Sequence, residues 1–125
     1  MHDPTTAASA EDRAFCETTL PGVSRTFALS IQALPAALRD AIGVAYLLCR
    51  VVDTVEDDRR KAPAVRQSLF DAFDRALEGS ARGDASGAAD FERASVDAGL
   101  GVTEHAQRLC ARAGSVFRTF ASLPD

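Results

Sequence analysis

Between Pro35 and about Asp58 nothing stops a helix, and this stretch constrains the fold more than any other part of the chain. Proline's fixed φ suits the first position of a helix, so Pro35 ends the preceding element and opens the next. Upstream, residues 1–10 are small and polar without periodicity and read as a loose tail. A short helical stretch follows from about Glu11 to Thr19, broken by Pro21-Gly22. Ser24 can cap a second helix running to about Ala33, with Phe27, Ile31 and Leu34 at helical spacing. Downstream, Val65, Leu69, Phe73 and Leu77 recur every fourth residue after Pro63, with Gly79 as a stop signal. Residues 79–102 hold five of the eight glycines and show no apolar period, so they are expected to form a flexible connection or a poorly formed short helix. Thr103 is a fair cap for a last helix with Ala106, Leu109, Cys110, Ala113, Phe117 and Phe120 inside. No stretch alternates apolar and polar residues over strand length, and there is no internal repeat. The expected class is all-α: one helical region over residues 1–125, with four or five helices as an antiparallel bundle.

Charge narrows the partners. Fourteen basic against eighteen acidic side chains leave a formal net charge of −4. The longest basic run is Arg59-Arg60-Lys61, too short for clustered phosphate neutralisation, so no nucleic-acid partner is expected. Three cysteines, an odd number without a CxxC pair, give no closed disulfide framework and fit a reducing compartment. The amino terminus lacks the basic start and apolar stretch of a secretory signal. The longest apolar run, Ala41–Val52, is interrupted by Gly43 and Arg50 and falls short of the roughly 20 residues needed to cross a bilayer.

The chemistry lies on the 35–58 helix. At about 100° per residue, Tyr46, Arg50, Asp53 and Asp57 fall on one narrow stripe, with Glu56 at its edge. Around them Ile42, Val44, Ala45, Leu47, Leu48, Val51 and Val52 cover the other directions, so the helix should be buried with its stripe facing an internal cavity. Burying Arg and carboxylates costs several kcal/mol per ion unless the charges are paired or a metal is bound. Asp53 and Asp57, one turn apart, offer hard oxygen ligands of the kind Mg²⁺ takes together with phosphate oxygens and waters. The spacing also fits a plainer structure: an i, i+3 ion pair between Arg50 and Asp53 and a solvated acidic helix end. A second cluster, Ser24-Arg25-Thr26, stands at a helix start. There the free N–H groups, an Arg and two hydroxyls can hold an anion, although Ser24 alone would serve as a simple cap.

Ser24-Arg25-Thr26-Phe27-Ala28, followed by Tyr46-Leu-Leu-Cys-Arg50-Val-Val-Asp53-Thr-Val-Glu56-Asp57-Asp58, resembles the amino-terminal part of the squalene/phytoene synthases, most strongly over residues 15–60. The resemblance implies the amino-terminal portion of an isoprenoid synthase-type helical bundle around a central cavity where two prenyl diphosphates are joined head to head. It implies that Asp53, Glu56 and Asp57 hold Mg²⁺ on a diphosphate. Ser24 and Arg25 would contact diphosphate, and Arg50 diphosphate or the phosphate of NADPH. The catalytic residues at the reacting carbons would be Tyr46 and Phe27. Loss of diphosphate would give an allylic cation that the second substrate's double bond attacks. Glu56 within the acidic motif favours the squalene branch, with farnesyl diphosphate as substrate and NADPH as reductant. Phytoene-type condensation of geranylgeranyl diphosphate, without NADPH, is the alternative within the family, and a non-catalytic helical binding module the alternative outside it.

Such enzymes are about twice this length or more and carry a second aspartate-rich helix, for which Asp71 and Asp74 are poor candidates. The chain is therefore expected to be a fragment, missing the carboxy-terminal part of the same enzyme, unable to turn over substrate alone and exposing an apolar face. The expected location is cytoplasmic, with peripheral contact to a membrane surface.

Overall fold

A computed structural model describes residues 8–123. Its seven helices are α1 (Ala10–Val23), α2 (Arg25–Ile31), α3 (Ala36–Asp57), α4 (Pro63–Ala81), α5 (Ser86–Ala98), α6 (Glu104–Ala111) and α7 (Ala113–Ala121), with no strand among the described residues. The all-α class is as expected, with seven helices among the described residues where the sequence suggested four or five. Of the expected loose tail, residues 1–7 lie outside the described residues. Ser9 already caps α1, its hydroxyl accepting the Asp12 N–H while the Asp12 carboxylate accepts the Ser9 N–H.

Four expectations change. The first helix continues through Pro21 to Val23, because a proline near the end of a helix removes one donor without displacing the turn after it. The fourth runs past Gly79 to Ala81. Residues 79–102 are not a connection throughout, since α5 occupies thirteen of them. Its inner face is Ala88, Phe91 and Ser95, and a Cβ on Gly87 would meet the Arg75 carbonyl at 2.9 Å. The small residues that read as a linker are the surface along which α4 and α5 approach closely. The last helix is broken at Arg112. There Glu92 of α5 reaches across to accept the Gly114 N–H at 3.0 Å, satisfying a donor at the start of α7.

Phe73, Phe91 and Phe117 form the centre of the core, with ring centroids 5.3–6.0 Å apart and edge or tilted packing. Helix α3 lays Val44, Leu47, Leu48, Val51 and Val55 onto this core. Helix α1 closes the bundle against α7, where Arg118 donates to both Asp12 oxygens at 2.8 and 2.9 Å. Burial alone would push the Asp12 carboxyl up. The donors from Arg118, the Ser9 N–H and Ser115 outweigh it and hold the pKa at about 2.

Candidate functional site

Helix α3 has two unlike sides. Opposite its buried face, Leu38, Ala45 and Cys49 are exposed and Ile42 and Val52 half-buried, at spacings of four and three residues that align them on one flank. The expected exposed apolar face lies here. Asp53 and Glu56 continue the same flank, and Tyr46, Arg50 and Asp57 lie along its margin.

The stripe therefore does not face an internal cavity, as its apolar surroundings suggested. Within residues 8–123 the packed helices cover only the other side of α3. The Arg50 and Asp53 side chains are 37% and 50% exposed, and Glu56 and Asp57 are exposed at the helix end. A cavity of about 430 Å³ does exist, but against the opposite end of α3, between Leu20, Ile31, Arg39, Gly43, Val44 and Leu123. No assigned site residue lines it.

Individual residues are placed as follows. Ser24 ends α1, its N–H donating to the Leu20 carbonyl, and caps α2, its hydroxyl oxygen accepting the Phe27 N–H at 3.3 Å. Its hydroxyl proton remains for another acceptor. Arg25 is exposed at the first turn of α2. Helix α2 crosses α3 so that Phe27 stacks on Tyr46, with centroids 4.2 Å apart and planes 15° from parallel. Seven residues further along α3, about 10 Å, Asp53 approaches Arg50 in a loose contact of 3.8 Å. The Arg50 Nε is buried without a partner. Among the described residues neither Glu56 nor Asp57 forms an ion pair, and no three His, Cys, Asp or Glu side chains gather closely enough to hold a metal by themselves.

Sequence reasoning missed Asp58. It follows the acidic stripe directly, yet is fully buried and receives two donors from Arg60 and one from the Gly101 N–H. The Arg60 hydrogen bonds hold its carboxyl well below the usual carboxylate range, against the opposing pull of burial. Arg66 of α4 was also missed, and donates to the Glu56 carbonyl at 3.3 Å. Only the nearness of Arg60 hinted at the first contact, because the partner loop is 43 residues away.

The described residues form an all-α bundle that offers a carboxylate pair, an arginine and an apolar flank on one helix. The sequence matches the squalene/phytoene synthase family model over residues 20–125, and the chain belongs to that family. It is 43% identical over 84 residues to squalene synthase BSS of Botryococcus braunii, which covers 66% of this chain and 18% of that relative. Squalene synthase of Nicotiana benthamiana is 59% identical over 59 residues, 47% of this chain and 14% of the relative. Squalene synthase 10 of Panax ginseng is 47% identical over 62 residues, 50% of this chain and 15% of the relative. Each match thus spans less than a fifth of the relative's own length. No solved structure matches the chain. No helix among the described residues is long and apolar enough to cross a membrane.

Proposed function

We propose that this chain supplies one wall of a site that condenses two prenyl diphosphates head to head, with farnesyl diphosphate as substrate in a squalene-type reaction. The observation that carries the reading is the composition of the open flank of α3. Carboxylates without tight partners stand at one end, an apolar strip runs beside them, and the stacked Phe27–Tyr46 pair lies about 10 Å along. That order suits an amphipathic ligand with an anionic head and a hydrocarbon tail.

The donor set suits Mg²⁺. Asp53 and Asp57 are hard oxygen donors one turn apart, exposed and loosely paired at most, and two carboxylates are as many as Mg²⁺ usually takes before completing its shell with phosphate oxygens and water. When bound, the ion would neutralise the diphosphate and make it a better leaving group. Glu56, on the edge of the stripe, would serve as a further ligand or through water. Arg50 and Arg25 would add charge-assisted hydrogen bonds to the same head group, and Ser24 its hydroxyl proton. The rings of Phe27 and Tyr46 would exclude water from the allylic carbons and face developing positive charge with their π electrons. When bound, NADPH would supply the hydride that a squalene-type reaction consumes, and Arg50, whose Nε has no partner among the described residues, would contact its phosphate or the diphosphate.

With one acidic helix, the described residues hold one side of a two-substrate site, and binding without turnover is the expected behaviour of this chain. The remainder of the enzyme and a membrane surface holding the greasy substrate are its proposed partners. Titration calorimetry with farnesyl thiodiphosphate, a slowly reacting analogue, tests the reading. Binding should require Mg²⁺ and weaken about tenfold or more in Asp53→Asn and Asp57→Asn. Binding that ignores Mg²⁺ or survives both changes would overturn it. A tighter fit to the geranylgeranyl analogue would move the chain to the phytoene branch.

A further inference from the structure

We propose that Asp58 is a positioning residue for the acidic end of α3: its carboxylate clamps the helix terminus to the turn between α5 and α6, fixing where Glu56 and Asp57 point. The proposal rests on the reading of those carboxylates as metal ligands. Asp58 cannot join them, since it is fully buried and its oxygens are already engaged. Arg60 donates from Nε to Oδ1 and from Nη2 to Oδ2, both at 2.8 Å, and the Gly101 N–H reaches Oδ2 at 3.0 Å. Lys61 Nζ stands 4.0 Å away.

The far side of the clamp is built as carefully. Arg60 Nη2 also donates to the Gly101 carbonyl at 2.8 Å, and Gln107 Nε2 donates to the same oxygen at 3.1 Å. Gly101 sits at φ +117°, where an L side chain is strained, and a Cβ there would lie 2.7 Å from the Gln107 nitrogen. Backbone contact between this turn and the end of α3 therefore depends on glycine.

The helix end needs such a device. A run of acids at a carboxy terminus faces the negative end of the helix dipole and repels itself, so an unsecured last turn carrying Glu56, Asp57 and Asp58 would fray. Here Asp58 leaves the run by being neutralised inside the protein, while its N–H closes on the Thr54 carbonyl at 3.1 Å. Arg66 holds the Glu56 carbonyl from the α4 side. The turn that presents two exposed carboxylates is gripped from both flanks by residues that touch no ligand, the role outer hydrogen-bond partners play around metal sites.

Asp58→Asn and Gly101→Ala test this, the second from 43 residues away with the acidic motif intact. Two readouts are compared with wild type and Asp57→Asn at 10 °C. One is amide hydrogen exchange over residues 54–58; the other is the Mg²⁺ concentration needed for farnesyl thiodiphosphate binding. Both clamp variants should keep their helical circular dichroism, lose protection in the last turn and require about tenfold more Mg²⁺, with binding restored at saturating Mg²⁺. Asp57→Asn should keep the protection and not be restored. Arg60→Lys, which retains the charge but not the two-pronged contact, should shift the Mg²⁺ requirement in the same direction and serves if the other variants do not fold. A loosened last turn with an unchanged Mg²⁺ requirement, or a last turn that stays protected, overturns the clamp and leaves the metal reading standing. If wild type shows no Mg²⁺-dependent binding, the metal reading fails first and the clamp's role falls with it.

Discussion

The seam between α1 and α7 and the open flank of α3 each set an Asp against an Arg, and the two pairs share little else. At the seam, Asp12 is buried and takes two Arg118 donors at 2.8 and 2.9 Å from a helix 106 residues away. On the flank, Arg50 and Asp53 are neighbours on one helix, half in solvent and 3.8 Å apart in a single contact. The first geometry fills both Asp12 oxygens and commits the Nε and Nη2 of Arg118 to the seam. The second holds two charges near each other at little energetic gain, so that an incoming anion or cation can take either one. Identical chemistry thus serves cohesion in one place and ligand capture in the other, and the difference lies in burial and in the number of lone pairs already filled.

The comparison can be broken by showing that the flank matters to stability or that the closed side does not. The largest effect is expected inside the closed region. Phe117→Ala removes a fully buried ring packed on Phe73 and Phe91, and should cost about 3–5 kcal/mol in urea unfolding. A loss under about 1 kcal/mol would mean that the aromatic core is not the centre of the fold. Next comes Asp12→Asn, which leaves Arg118 without its charge partner and should cost about 1–3 kcal/mol. This pair also sets a pH dependence. Asp12 has a folded pKa of about 2, below the value of roughly 3.9 in an unfolded chain, so its contribution is complete above about pH 4 and is lost as pH falls through about 2. Acid unfolding followed by circular dichroism should be shallower over that window in Asp12→Asn than in wild type. Equal slopes would remove Asp12 from the account. The smallest effect belongs to Asp53→Asn, expected to change stability by no more than about 0.5 kcal/mol, because a half-exposed i, i+3 pair contributes little. A large loss there would turn the flank pair into a structural bridge and weaken its reading as a ligand site.

How much of this was legible before the structure depended on how far away each cause lay. Pro35 and the unbroken run after it delivered α3 almost to the residue, since local signals decide a long helix. The shared face of Tyr46, Arg50, Asp53 and Asp57 followed from helical periodicity alone. The partner that sets each residue's environment did not. Pairing of Phe27 with Tyr46 needs the crossing of two helices, and Asp58 reads as a third equal acid until the Gly101 turn is brought to it. Helix α5 was hidden because its contact face is written in Gly, Ala and Ser, the residues that also make linkers. The break at Arg112 is accompanied by Glu92, twenty-two residues before Gly114, accepting the Gly114 N–H, a contact that the local sequence around Arg112 does not announce.

The bond between Asp12 and Arg118 bears on how the chain comes into being. A ribosome releases α1 before α7, and the helix that secures α1 is completed only some hundred residues later. Until then Phe15, Cys16 and Leu20, all buried in the finished molecule, lack the α7 side of their shelter. Closing so long a loop is slow in the way that distant contacts generally are, while the hairpin of α4 and α5 forms from neighbours. Helix α1 is thus made well before the contact that locks it. An amino-terminal fusion or a folding helper that shields those three side chains during synthesis should raise the yield of the native bundle more than one placed at the other end.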